Sequence, residues 1–208
     1  MAAYPVSFHV TRPEKFDRVQ LLLRVVVLAA LSCLGATLGA VMGFAYFALP
    51  LVAAILISQR GPAGYIERSA PRVARALAWL MAVFAYFFLL TDRLPLDEPD
   101  ISASLEVAPR GTPTVGAALL RFITSLPSAF IFGLLCLIAY IVWLISALLI
   151  VITETYPPGL YDFQCGVLRW QARLLAYHAA LVDKYPPFSF EPGAAEGALR
   201  SGPAGTLA

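Results

Sequence analysis

Two arginines one helical turn apart, Arg169 and Arg173, are the side chains of this 208-residue chain that most clearly point to chemistry. Their surroundings are apolar, and a guanidinium at membrane depth costs at least about 2.5–3.5 kcal/mol unless it finds an anion, water or the membrane surface. A guanidinium binds a phosphate or a carboxylate through two hydrogen bonds. With Trp170 and Tyr177 as an aromatic frame, the pattern predicts a lipid-headgroup site of Arg169, Arg173, Trp170 and Tyr177.

Other arrangements satisfy the same two arginines. Asp162 or Glu154 is close enough in sequence to accept from one of them, and the second then reaches water. Alternatively, the helix lies in the headgroup layer and both guanidinium groups are solvated. The sequence leaves these alternatives open.

No catalytic or cofactor motif accompanies the arginines. The chain has no nucleophile elbow, no zinc-protease motif and no glycine-rich phosphate loop. A haem would need His178 and the distant His9 as ligands, and three scattered cysteines form neither a metal site nor a disulfide framework. We therefore predict a protein that is not an enzyme and has no cofactor and no metal.

The composition indicates a bilayer. Sixty percent of the residues are hydrophobic and 13% are charged, whereas soluble domains carry about 25% charged residues. A net charge of +2 is too small to indicate nucleic acid. The predicted partners are membrane lipids and other integral membrane proteins.

Two long apolar runs, 25–57 and 122–152, are the strongest elements of the pattern. The first is longer than the roughly 20 residues of one straight span and shorter than a hairpin, so it predicts one long helix bent at Pro50. Gly35, Gly39 and Gly43 follow each other at intervals of four and predict a face against which a neighbouring helix packs. Shorter spans are predicted at 74–90 and, despite its arginines, at 163–182.

Alternation of apolar and polar residues predicts short strands at Val6–Val10 and 101–107. Between the first strand and the first apolar run, 14–24 has helical spacing with basic residues. This segment is either a helix at the membrane surface or the solvated first turns of the spanning helix. Asp92 and Asp183, each followed by a basic residue and then x-Pro, are predicted to cap or pair locally at a helix end.

The chain also shows internal similarity. AYHAALVDKYP from Ala176 aligns with AYFFLLTDRLP from Ala85, and in a second register Leu22-Leu23-Arg24 aligns with Leu119-Leu120-Arg121. This predicts two repeats, 4–95 and 101–190, with an acidic, proline-rich linker at 96–100 and a flexible tail at 191–208. The predicted fold is an all-α integral membrane protein of two tandem helical hairpins, with short strands at the hairpin bases.

The second repeat contains Tyr-Pro-x-Gly-Leu-Tyr-Asp-Phe, then Leu-Arg-Trp-x-x-Arg and Asp-Lys-Tyr-Pro-Pro-Phe. This pattern resembles a family of bacterial membrane proteins known only as a domain of unknown function. The first repeat departs from it, with Arg-Gly-Pro-Ala-Gly-Tyr and Leu-Pro-Leu at the matching places. The resemblance implies location and topology but no activity.

Hydropathy alone predicts three crossings, and the repeat favours four. The excess of basic residues on the N-terminal side predicts a cytoplasmic N-terminus in the bacterial inner membrane. The predicted function is that of a non-catalytic accessory or scaffold subunit of a larger membrane complex, which it contacts through the Gly35-Gly39-Gly43 face. The alternative is a lipid- or anion-binding protein that uses Arg169 and Arg173.

Overall fold

The computed structural model describes residues 4–35, 37–95, 102–109 and 111–191. The predicted acidic linker at 96–100 lies outside the described residues, as does the predicted tail beyond residue 191. The described chain forms β1 (Val6–Val10), α1 (Arg18–Cys33), α2 (Leu38–Gly64), α3 (Ala70–Phe87), β2 (Ala103–Val107), α4 (Val115–Thr124), α5 (Leu126–Thr153) and α6 (Pro158–His178). A turn of π-helix, Tyr65–Ser69, joins α2 to α3. The mostly helical class with a pair of short strands is confirmed.

β1 and β2 form a two-stranded antiparallel sheet. Val6, Phe8 and Val10 are buried, as their alternation with polar residues predicts. Phe8 faces Leu105 at the centre of the ladder. The register that aligns Leu22-Leu23-Arg24 with Leu119-Leu120-Arg121 also aligns Phe8 with Leu105. Equivalent residues face each other in this way when two strands are related by a local two-fold axis.

The elements pack in three layers. β1 packs on α6, β2 packs on α3, and these two helices pack on each other as the middle layer. On the far side of α6 lie α2, α4 and α5, and α1 packs against α5. Because α6 is enclosed by the sheet on one side and by the outer helices on the other, every residue from Gln164 to His178 is buried.

The prediction of one helix over 25–57, bent at Pro50, is wrong. The chain breaks between α1 and α2 at residues 34–37, where Gly35 adopts a positive φ of 71° and Thr37 caps α2 by accepting from the Ala40 amide at 3.1 Å. Pro50 is buried inside α2, which continues through it. Hydropathy misses this break because residues 31–43 are almost all apolar or small.

In the part of the chain that the structure describes, two helical stretches are long and apolar enough to cross a membrane. They are Leu38–Phe87, which combines α2 and α3, and Leu126–Thr153, which is α5. Among the described residues, α6 does not meet this criterion. The three to four crossings that the sequence predicts therefore remain a prediction.

Candidate functional sites: buried arginines and an apolar cavity

The first buried arginine is Arg24 on α1. Only 1% of its surface is exposed, although it stands in an apolar helix whose other side faces outward. Its Nη2 donates to Asp92 Oδ1 at 2.5 Å and to the Thr91 carbonyl at 2.8 Å. The guanidinium carbon lies 4.1 Å from the centroid of the Tyr86 ring. The charge is thus matched by a carboxylate, a carbonyl and an aromatic face.

The second buried arginine, Arg121 on α4, has the same kinds of partner. It donates to Asp183 Oδ1 at 2.6 Å and to the carbonyls of Val182 and Tyr177 at 2.8 and 2.6 Å. Its guanidinium carbon is 4.7 Å from the Tyr177 ring centroid. The Arg121 site therefore repeats the Arg24 site. In each, the arginine contacts an aspartate, the carbonyl of the residue just before that aspartate, and a tyrosine ring.

The prediction that Asp92 and Asp183 cap or pair locally is wrong. Asp92 pairs with Arg24, 68 residues away, and Asp183 pairs with Arg121, 62 residues away. Each pair fastens the segment that follows α3 or α6 to the helix that opens the same half of the chain. A signal for these sites was present in the sequence, because both arginines and both aspartates occupy matching positions of the predicted repeat.

Arg169 and Arg173 are also buried, at 5% and 4% exposure, but they bind another kind of partner. Arg173 donates from Nη1 to the Ser189 carbonyl at 2.8 Å. Arg169 donates to the Phe8 carbonyl on β1 and to the Phe190 carbonyl, both at 3.4 Å. The two side chains therefore attach β1 and the C-terminal segment to α6. Since the chain itself supplies these acceptors, the geometry does not favour a lipid headgroup there.

The other two residues of the predicted headgroup site do not join the arginine pair. Trp170 packs edge-on against Phe132 and Phe188, with ring centroids 5.8 and 5.1 Å apart. Tyr177 lies under the guanidinium of Arg121 instead. Glu154, one of the candidate partners, makes a half-exposed ion pair with Arg18 at 3.3 Å. The headgroup site remains a prediction, but in the structure Trp170 and Tyr177 contact residues other than Arg169 and Arg173.

Sequence reasoning missed a polar stripe on the opposite side of α6. Gln164, Gln171 and His178 follow at intervals of seven, are fully or almost fully buried, and face the outer helices. Gln164 donates to the Ala139 carbonyl at 2.9 Å, and the Gln171 amide approaches Met42 Sδ at 3.2 Å. The interval of seven was visible, but it lay beside the more conspicuous Arg and Trp residues.

His178 ends this stripe in a closed network. Its Nε2 is 2.7 Å from Ser125 Oγ and its Nδ1 is 3.2 Å from the Tyr46 carbonyl. Burial, aided by the nearby charge of Arg121, lowers the pKa of His178 to about 4, so the ring is neutral at pH 7. A serine beside a histidine suggests a nucleophile, but both side chains are completely buried. The contact joins the α4–α5 junction to α6.

An apolar cavity of about 720 Å³ lies between the outer helices and the middle layer. None of the described residues that line it is charged. Gln171 contributes an amide to its wall, and Trp143 and Phe88 contribute aromatic surface. Its volume falls within the roughly 300–1,000 Å³ of small-molecule sites.

The predicted helix-packing face is divided by the break after α1. Gly35 lies in the turn, whereas Gly39 and Gly43 lie on α2 and line the cavity. A methyl group added at Gly43 would meet no atom within 4 Å. Among the described residues, therefore, the space next to Gly43 is part of the cavity.

Comparison with known proteins covers the second half of the chain. Residues 116–189 match the family model described as Domain of unknown function (DUF4389). No curated protein and no solved structure matches the chain. The match includes α5, α6 and the whole Arg121 site. The family motifs quoted from the sequence and the bacterial origin remain predictions.

Proposed function

We propose that the protein is a non-catalytic integral membrane protein that serves as an accessory or scaffold subunit of a larger membrane complex. The observation that carries the proposal is the apolar outer surface of α1, α2, α4 and α5, in which the exposed charges Arg18 and Arg60 lie near the helix ends. Between Val19 and Ile57, and again between Val115 and Thr153, the only charged residues are Arg24 and Arg121. Both point inward to aspartates.

The outer surface is much larger than a water-soluble monomer tolerates. Large apolar side chains of α5 with 60% exposure or more are Phe130, Leu137, Leu148 and Ile152, and α2 adds Phe44 at 75%. Soluble monomers rarely expose contiguous apolar patches above a few hundred Å². Lipid, or a partner embedded in lipid, must therefore cover this surface. The finer location, a multi-pass position in the bacterial inner membrane with a cytoplasmic N-terminus, is part of the proposal and rests on the sequence.

Accessory function is favoured over catalysis because the buried arginines bind acceptors of the chain itself. In the described part of the chain, the buried arginines hold segments together, and Ser125 and His178 are closed to substrates. The open features are the apolar surface and the cavity beside Gly39 and Gly43. These features suit contact with a partner helix, since small residues allow helix backbones to approach closely in membranes.

The test compares Gly43→Leu with Gly116→Leu. Both glycines lie in helices, and an added Cβ meets nothing within 4 Å at either position, so the two variants should keep similar stability. Only Gly43 lines the cavity. Purification in mild detergent with quantitative mass spectrometry should show a stoichiometric membrane partner for the wild type and Gly116→Leu, and its loss for Gly43→Leu. A wild-type protein that elutes as a clean monomer without a partner would contradict the proposal.

A further inference from the structure

Gln171 is a polar residue in the wall of the apolar cavity, and only 1% of its surface is exposed. Its amide nitrogen lies 3.2 Å from Met42 Sδ, and its side-chain carbonyl accepts no hydrogen bond from a described residue. A carboxamide can donate two hydrogen bonds and accept others, whereas a thioether is a weak acceptor. In the described part of the chain, most of the hydrogen-bonding capacity of Gln171 is therefore unused.

The corresponding helix of the first half has an apolar residue at this place. In the register that aligns Ala176 with Ala85, Gln171 corresponds to Leu80 of α3. The repeat therefore does not require a polar side chain there. A buried carboxamide without full hydrogen bonding costs free energy, so its presence beside a cavity is better explained by a bound molecule than by packing.

The cavity opens on the apolar outer surface. Val25 of α1 and Tyr140 of α5 line it and are 41% and 59% exposed. Gln171 and Leu174 of α6 line its inner end, and each is 1% exposed. A molecule that enters from the surface therefore meets apolar walls first and the amide of Gln171 last.

The lining determines the class of molecule that fits. An ion would lose its hydration there without a counter-charge, because the described lining residues are uncharged. The volume of about 720 Å³ is that of a small-molecule site and is much larger than a side chain that a partner helix could insert. An uncharged molecule with an apolar chain and a hydroxyl or carbonyl group matches both the walls and Gln171.

We propose that the cavity binds a neutral, lipid-soluble molecule whose hydroxyl or carbonyl group forms a hydrogen bond with the Gln171 carboxamide. Its apolar chain lies between α1, α2 and α5. The inference rests on the membrane location in the proposed function, because the mouth of the cavity then faces the acyl chains from which such a molecule enters. It goes beyond that function, since it needs no partner subunit.

Quenching of Trp143 fluorescence tests the site. Trp143 lines the cavity, and its Nε1 donates to the Phe87 carbonyl at 2.8 Å. Trp79, which is 53% exposed and does not line the cavity, is first replaced by Phe. The probe is dibromostearyl alcohol, whose bromine atoms quench tryptophan at short range, added to the protein in mild detergent. The proposal predicts quenching that saturates.

Two pairs of variants separate the site from partition into detergent. Gln171→Leu should weaken binding of the alcohol about fivefold, the effect of losing a neutral hydrogen bond. Gln164→Leu is its control and should bind as the wild type does, because Gln164 lies on the same stripe but does not line the cavity. Gly43→Leu should abolish the saturable quenching by filling the cavity, and Gly116→Leu should leave it unchanged.

The charge of the probe gives a further comparison. The ionised form of dibromostearic acid should bind more weakly than the alcohol, because the cavity offers its carboxylate no cation. Equal binding of the alcohol to the wild type and to Gln171→Leu would overturn the proposed hydrogen bond. Saturable quenching that survives Gly43→Leu would overturn the site itself.

Solvent extraction of the protein purified from membranes, followed by mass spectrometry, distinguishes two sources of the ligand. A retained phospholipid would supply its ester carbonyl and acyl chain, whereas a retained alcohol or quinone would be a free neutral ligand. Absence of a retained molecule together with absence of saturable quenching would overturn the proposal. Because Gln171 is buried, Gln171→Leu should keep a partner subunit that the wild type retains, so the ligand site and the partner contact are tested separately.

Discussion

The Arg24 site and the Arg121 site use the same residue types in the same order, but they bury their aspartates differently. The Asp92 side chain is 20% exposed, and it also accepts from the Asp17 amide at 2.9 Å. The Asp183 side chain is 47% exposed. Arg121 compensates by donating to two carbonyls, whereas Arg24 donates to one. The first site depends mainly on its ion pair, and the second divides the same charge between the carboxylate and the backbone.

This difference shows how one arrangement is adapted to two surroundings. An ion pair is strongest where water is excluded from both partners, and a solvated carboxylate contributes little. Where the aspartate is half exposed, additional carbonyls take over part of its role. A neutral histidine follows the tyrosine in the Arg121 site, whereas Phe87 follows Tyr86 in the other.

The largest expected effect is the loss of either arginine. Arg24→Met and Arg121→Met should each reduce the free energy of unfolding by about 3–5 kcal/mol, because each leaves buried acceptors without their donor. Denaturant titration in detergent, followed by tryptophan fluorescence, measures this loss. Arg18→Met is the control: it removes a half-exposed pair with Glu154 and should cost less than about 1 kcal/mol. If all three variants lost the same free energy of unfolding, burial of the arginine would not determine the size of the loss.

The histidine should make the Arg121 site sensitive to acid between about pH 4 and pH 6.5. The unfolded chain takes up a proton near pH 6.5, but the buried His178 does so only near pH 4. The contribution of the neutral His178 ring to the free energy of unfolding is therefore fully present above about pH 6.5. It is lost as the pH drops toward 4, by about 3 kcal/mol at most. The comparison is a titration of wild type against His178→Gln, which keeps a polar side chain that does not titrate. If the free energy of unfolding changed equally with pH in both proteins between pH 4 and 6.5, His178 would not be the source of the acid sensitivity.

The two aspartates should differ in cost. Asp92→Asn should reduce the free energy of unfolding by about 2 kcal/mol, because it removes a charged acceptor from the more buried pair. Asp183→Asn should cost less than about 1 kcal/mol, because water already solvates that carboxylate. Denaturant titration of the two variants under the same conditions measures both losses in the free energy of unfolding. A larger loss for Asp183→Asn would reverse the interpretation of the two sites.

A glycine beside the Arg121 site permits a finer test. Gly111 has a φ of 115°, and a Cβ there would lie 1.7 Å from Asp183 Oδ2. Gly111→Ala should cost about 1 kcal/mol from backbone strain, and more if Asp183 cannot move away. In a double-mutant cycle with Asp183→Ala, the cost of Gly111→Ala should decrease by the steric part. If the two substitutions had additive effects on the free energy of unfolding, the Asp183 carboxylate would move out of the way of the added methyl group without cost.

Sequence patterns predicted the local elements well. The alternation around Phe8 predicted β1, and helical spacing with a high apolar content predicted α3 and α5. The ends of helices inside apolar runs, and the contacts between distant residues, were predicted poorly. The break at Gly35 was missed because an apolar run looks the same whether or not it turns. The predicted headgroup site grouped Arg169, Arg173, Trp170 and Tyr177 because they are neighbours along α6, but the fold directs Trp170 and Tyr177 to other partners.

By itself, the sequence determined which segments are apolar, where the strands alternate, and that arginines and aspartates recur at matching places in two halves. These are properties of residue type and spacing, and a few neighbouring residues suffice to fix them. Only the tertiary structure decided that Arg24 meets Asp92, that Arg121 meets Asp183, and that one face of α6 carries the polar stripe. Such partners are separated by 62 residues or more along the chain. Their contact depends on how whole layers pack, which local periodicity does not encode.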